Sequence, residues 1–159
     1  MTRDQDRCGE DERDVAEDDA FLAAFEATTL PEKAFDHGAH LRVAWLYLLR
    51  DRDLAPDRIV SGIRRFAVAN GLLRKYHETL TRFWIAAVDL RMRATSAGAV
   101  PGTFAGFLAR SPDLFDRGLV FQHYTRERLF SHEAREGFLS PDLLPLELLA
   151  RIDPPAKKP

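Results

Sequence analysis

The chain has a single cysteine, Cys8, among its 159 residues. One thiol cannot close an internal disulfide, and without a second cysteine the thiolate-rich zinc sites are excluded. The His-Glu-x-x-His word, another strong mark of zinc, does not occur either. Long apolar runs are also missing. The longest extends from Val43 to Leu49, far short of the ~20 residues that a membrane-spanning helix needs. Sustained two-residue alternation of polar and apolar residues is lacking, so strands are not expected. Leu119-Val120-Phe121 is the one plausible short strand. No repeat or interdomain linker breaks the chain. The acidic N-terminus lacks an apolar h-region, which makes a cytoplasmic protein the expectation. Tyr and Trp are scarce beside Phe, at 3 and 2 against 11, so most of the aromatic surface is plain core filling.

The length suits one domain with a real core. Hydrophobic residues at 45 % and charged residues at 30 % give an ordinary globular balance. The net charge of −2 supplies no global attraction to nucleic acid or to an anionic membrane. Its distribution is uneven. Residues 1–20 carry nine acids and three arginines, which leaves the rest of the chain at +4. Residues 1–17 therefore read as an acidic, disordered arm, with folding over a basic face of the body as a second reading. Residues 18–153 read as a helical domain and 154–159 as a disordered tail.

Helical periodicity is strong. Asp18 to Ala27 predicts a short first helix with Phe21, Leu22 and Phe25 on its apolar side. Asp36 is a good N-cap for a second helix over 37–50, whose stripe is Leu41, Ala44, Trp45 and Leu48. Pro56 opens a third helix that Gly71 ends. The fourth, over 75–95, carries Tyr76, Leu80, Phe83, Trp84, Ala87 and Val88. Beyond Gly98, Ser111-Pro112, Thr125 and Ser131 mark starts of short helices, and Ser140-Pro141-Asp142 opens a last turn. The expected fold is all-α: a single-domain bundle with two long central helices and several short peripheral ones.

The chemistry concentrates in two words, Asp36-His37-Gly38-Ala39-His40 and Tyr76-His77-Glu78-Thr79-Leu80-Thr81. Each stands at the start of an apolar helix and together they hold three of the five histidines. Imidazole titrates nearest neutrality and is the commonest metal ligand. His37 and His40, three apart, share a helix face. Gly38 between them removes bulk and lets a ligand or another backbone approach. In the fourth helix His77 lies over Thr81, which can hydrogen-bond it and fix its tautomer. The candidate catalytic residues are therefore His37, His40, His77, Glu78 and Thr81. His37, His40 and His77 are also candidate ligands of a divalent metal ion. A metal-free acid–base site uses the same residues, with one imidazole as base. Each word also has an architectural reading, as a capped helix start with a first-turn imidazole and a dipole-favoured Glu.

Among the other candidates, His123 sits among aromatics and reads first as a core-edge histidine, with completion of a pocket as a second reading, and His132 reads as exposed. Arg128 is within reach of an anionic substrate on this reading. Trp45 and Trp84 read as core.

The pattern Phe35-x-His37-x-x-His40-Leu41-x-x-Ala44-Trp45-x-Tyr47-Leu48, followed by Tyr76-His77-Glu78-Thr79-x-Thr81-x-x-Trp84, resembles a group of small uncharacterised bacterial helical proteins. The likeness continues through Tyr124–Ser131 and Pro141-Asp142-Leu143 and spans roughly residues 20–146. The resemblance implies that His37, His40, His77 and Thr81 belong to one pattern. It treats the acidic arm as an extension private to this chain, and it implies no substrate.

Two functions compete on this evidence. The first is a small enzyme acting on a small molecule, with or without a metal. The second is a non-catalytic binding or interaction module working through the third helix and the arm. Arg58, Arg64, Arg65, Arg74 and Lys75 cluster in sequence, but the negative net charge and the lack of a motif make nucleic acid a poor partner.

Overall fold

A computed structural model of the protein describes residues 3–95 and 102–151, with side chains described from residue 12 onward. The tail expected at 154–159 lies outside the described residues. The described chain is all-α. Its helices are α1 (Arg3–Glu26), α2 (His37–Arg50), α3 (Ala55–Ala69), α4 (Glu78–Thr95), α5 (Phe104–Arg110), α6 (Arg126–Leu129) and α7 (His132–Glu136). Short 3-10 turns join them. No described helix is long and apolar enough to cross a membrane.

Two sequence expectations are corrected here. The first helix starts at Arg3 rather than Asp18, so the acidic segment continues a helix instead of forming an irregular arm. Once Leu22 and Phe25 dock in the core, propagation toward the N-terminus costs little compared with nucleation. The last acids of the segment meet basic partners on α2. Arg42 donates to Asp18 at 2.9 and 2.5 Å, and Arg50 to Asp19 at 2.5 Å. The second correction concerns Leu119-Val120-Phe121, which forms part of a 3-10 turn (Arg117–Gln122) and not a strand.

The core sits among α1, α2, α3 and α4. α2 is its centre: Leu41 and Val43 are fully buried, and Ala44, Trp45, Leu46, Tyr47 and Leu48 are nearly so. Such all-round burial is what a helix with an almost unbroken apolar run requires. Its start is fixed by Asp36, which accepts a hydrogen bond from the Ala39 N–H at 2.9 Å. α3 ends at Asn70, and Gly71 follows at φ 67°, a left-handed conformation that only glycine adopts freely. Phe25 of α1 stacks on Phe35 and Phe66 and meets Tyr47 edge-on.

The α1–α3 approach depends on Gly62. A Cβ there would lie 2.8 and 2.9 Å from two ring atoms of Phe25. Gly62→Ala is therefore expected to destabilise the fold by roughly 2 kcal/mol through overpacking, despite the better helix propensity of Ala. Urea unfolding of the variant checks this, and a gain in stability would mean that α1 does not dock closely.

The last third of the described chain folds as short helices and turns against α4. Arg91 of α4 is 5 % exposed and ties two of them. It forms a bidentate pair with Asp113 at 2.8 and 2.5 Å and also donates to the Leu149 carbonyl. Thr125 and Ser131 cap α6 and α7 as their sequence positions predict. Ser111 does not: its side chain makes no capping bond to the 3-10 turn (Pro112–Phe115) that follows.

Candidate functional site

The starts of α2 and α4 lie at the same end of the bundle and border one cavity of about 550 Å³. His37, His40, His77 and Thr81 all line it, together with Tyr76, Trp84 and Phe121. Glu78 is not among the lining residues. The two sequence words thus meet, but their residues do very different work.

The Tyr76–Thr81 word is mainly architectural. His77 is 5 % exposed, and both of its ring nitrogens are engaged. Nε2–H donates to the Leu129 carbonyl of α6 at 2.7 Å. Because a carbonyl can only accept, Nε2 carries the proton. Nδ1 in turn accepts the Leu80 N–H at 3.2 Å. No lone pair remains to bind a metal or take a proton, which corrects the expectation of His77 as ligand or base. Burial holds its pKa below the ordinary 6.5, although the bond to Leu129 opposes this.

Glu78 is likewise engaged. Its carboxylate accepts Tyr76 O–H at 2.5 Å and Arg82 Nε–H at 2.6 Å, with Arg64 at 3.5 Å. Burial pushes the carboxyl up, but those bonds and the two arginine charges outweigh it and leave it below its ordinary range. A carboxylate so held is not a free base or ligand. The same bond to Glu78, added to burial, lifts the Tyr76 phenol to about 12. Thr81 donates to the backbone carbonyl of His77 at 2.9 Å, so it does not set the imidazole tautomer as expected. Thr79, which the sequence did not mark, binds across 58 residues. Its hydroxyl donates to the Gly137 carbonyl at 2.8 Å and accepts the Leu139 N–H at 3.0 Å.

The Asp36–His40 word is different. His37 Nε2–H donates to the Leu114 carbonyl at 2.8 Å, and His40 Nδ1–H donates to the Asp36 carbonyl at 2.7 Å. Each ring thereby has a fixed tautomer and retains one lone pair, on His37 Nδ1 and on His40 Nε2. The rings are braced by aromatics. Trp84 meets His37 edge-on at 4.5 Å between centroids, and Phe35 lies against His40 at 4.0 Å. Burial is the main cause that lowers both pKa values; backbone hydrogen bonds oppose it and the Arg117 charge reinforces it. Both imidazoles are thus neutral near pH 7 and act as acceptors.

Gly38 does not open a path for a ligand, because a Cβ there would sit 3.5 Å from the Phe115 ring. Nor is the three-imidazole metal set assembled. With His77 engaged, only His37 and His40 keep lone pairs, and Asp36 is occupied as a cap. Among the described residues no group of three or more His, Cys, Asp or Glu side chains is placed to hold a metal ion.

His123 and His132 fall where their sequence context puts them. His123 is buried, with Nδ1–H donating to the Leu144 carbonyl at 2.9 Å. His132 is exposed at the start of α7. Arg128 Nε–H donates to the Ser140 carbonyl at 2.7 Å, and Arg128 does not line the cavity. Trp45 is core, whereas Trp84 is half-buried and faces the cavity. Lys75, Arg117 and Phe130 also line it. The sequence carried no signal for Arg117, which reaches the site from a 3-10 turn far along the chain. Compared with known protein families, curated proteins and solved structures, the chain matches none.

Proposed function

We propose that the chain is a small cytoplasmic protein that binds a small molecule between the starts of α2 and α4 and exchanges a proton with it through His40 or His37, the acid–base role of an enzyme. The observation that carries this is the pair of tautomerically fixed, neutral imidazoles in a largely apolar cavity. The size is right for one organic ligand. A base whose pKa lies below the ordinary 6.5 and whose ring is held by a hydrogen bond is suited to proton transfer. A purely binding role is the second reading. The structural engagement of His77 and Glu78 favours it, because it leaves the imidazole pair without a free carboxylate partner. We also take His37 and His40, rather than His77, as the working part of the pattern that resembles the bacterial helical group.

Carbethoxylation tests the proposal, since the reagent is attacked by an imidazole lone pair. Peptide mapping is expected to show His37, His40 and the exposed His132 modified and His77 protected. Anilinonaphthalene sulfonate, bound in the cavity, is expected to slow modification at His37 and His40 but not at His132. Equal rates with and without this probe would defeat the proposal, as would fast modification of His77 in folded protein.

A further inference from the structure

We infer that the ligand of the α2–α4 cavity is an amphipathic organic acid, an apolar body carrying one carboxylate that seats between Arg117 and the imidazoles of His37 and His40. This rests on the reading of the cavity as a small-molecule site and adds its ligand class.

The walls exclude strongly polar ligands. Ile59, Ile63, Leu80, Trp84, Val120 and Phe121 are among the cavity's apolar lining residues. A sugar or nucleotide would leave its hydroxyls and phosphates unpaired against them, which is costly. An alkyl or aryl body would instead remove that surface from water.

The charged groups then choose the head group. Asp36, Lys75 and Arg117 are the charged residues of the lining. The Asp36 carboxylate is held by the Ala39 N–H. Lys75 has Glu32 at 3.7 Å. Arg117 makes no ion pair or hydrogen bond recorded among the described residues, and it stands close enough to both imidazoles for its charge to be felt by each. Arg117, an exposed residue, is therefore the lining cation without an ion partner among the described residues, and its fork of donors matches a carboxylate, while Asp36 keeps its own negative charge in the same lining.

The imidazoles complete the seat. An arriving carboxylate offsets the repulsion between Arg117 and an imidazolium. One ring then takes up a proton from water at its free nitrogen and turns from acceptor to donor. His77, with both nitrogens engaged, takes no part.

Calorimetric titration with phenylbutyrate and its neutral isostere phenylbutanamide tests the inference on wild-type protein, Arg117→Gln and Arg58→Gln. Arg58 is exposed on α3 and serves as a remote control. The acid is expected to bind at least about tenfold more tightly than the amide, the usual scale for a charge-assisted hydrogen bond. The preference is expected to vanish in Arg117→Gln and to persist in Arg58→Gln. Proton uptake, read from the dependence of the heat on buffer, should accompany the acid alone. If acid and amide bind equally, or the preference survives Arg117→Gln, the inference fails while the small-molecule site stands. If neither compound binds, the small-molecule reading itself fails and takes the inference with it.

Discussion

His77→Ala is expected to destabilise the protein by about 3 kcal/mol, more than His40→Ala. The estimate has two parts. Deleting a nearly fully buried ring leaves a cavity and loses packing. Deleting its Nε2–H also leaves the Leu129 carbonyl of α6 without its donor, and an unsatisfied buried acceptor costs about 1–3 kcal/mol. His77→Gln, which can still donate to that carbonyl, should recover part of the loss. His40→Ala, at a partly exposed position with a local bond to Asp36, should cost only about 1 kcal/mol. Urea unfolding of the three variants measures these differences. If His77→Ala unfolds with the wild-type midpoint, His77 is not an architectural residue, and its assignment away from the chemistry falls.

Acidification should weaken the fold in a window set by the same residues. His37, His40 and His77 all have pKa values below the ordinary 6.5 in the folded protein, with burial the first cause in each case. As pH falls through 6.5 the unfolded chain takes up protons that the folded chain still refuses. The stability these groups contribute is therefore intact above 6.5 and declines below it, until the folded histidines themselves protonate. Each group contributes at most about 1.4 kcal/mol per pH unit. Allowing for the partial exposure of His37 and His40, the loss is expected to deepen from pH 6.5 toward pH 5. Glu78 acts later and does not blur the window. Its pKa lies below 4.5, so the stability it adds is present above 4.5 and is lost only as pH falls toward the lower folded value. Unfolding free energies measured from neutral pH downward should bend near 6.5. A flat profile to pH 5 would show that these rings are not held neutral.

The fold was legible where its determinants are local. Asp36, Thr125 and Ser131 announce helix starts because a cap bonds within three residues. Gly71 announces the end of α3 because only its own backbone conformation is at issue. The helical extent of residues 3–17 was not legible, because their composition speaks for solvation while their structure is inherited from the docked end of α1. Ser111 looked like a cap and is not one, since the turn after it is a single 3-10 stretch.

The site was legible as a place but not as a division of labour. Helix periodicity and capping put His37, His40 and His77 near one another. His37 and His77 both donate Nε2–H to carbonyls 77 and 52 residues away, at Leu114 and Leu129, and they differ in that His77 Nδ1 also accepts the Leu80 N–H. Backbone acceptors leave no trace in sequence, so His77 and His37 look alike on the page. Arg117 was invisible for a related reason: nothing around it in the sequence distinguishes it from any other exposed arginine.

The way α4 holds the short C-terminal helices has a consequence for how the protein tolerates change. His77 and Thr79 grip the backbone at Leu129, Gly137 and Leu139, not the side chains there. A backbone group survives most substitutions of the residue that carries it. Mutational tolerance should therefore be lopsided across this contact. Positions 126–139 can exchange exposed side chains widely, while the two residues on α4's threshold have few acceptable replacements. The partner that is recognised is free to drift in sequence, and the one that recognises is not.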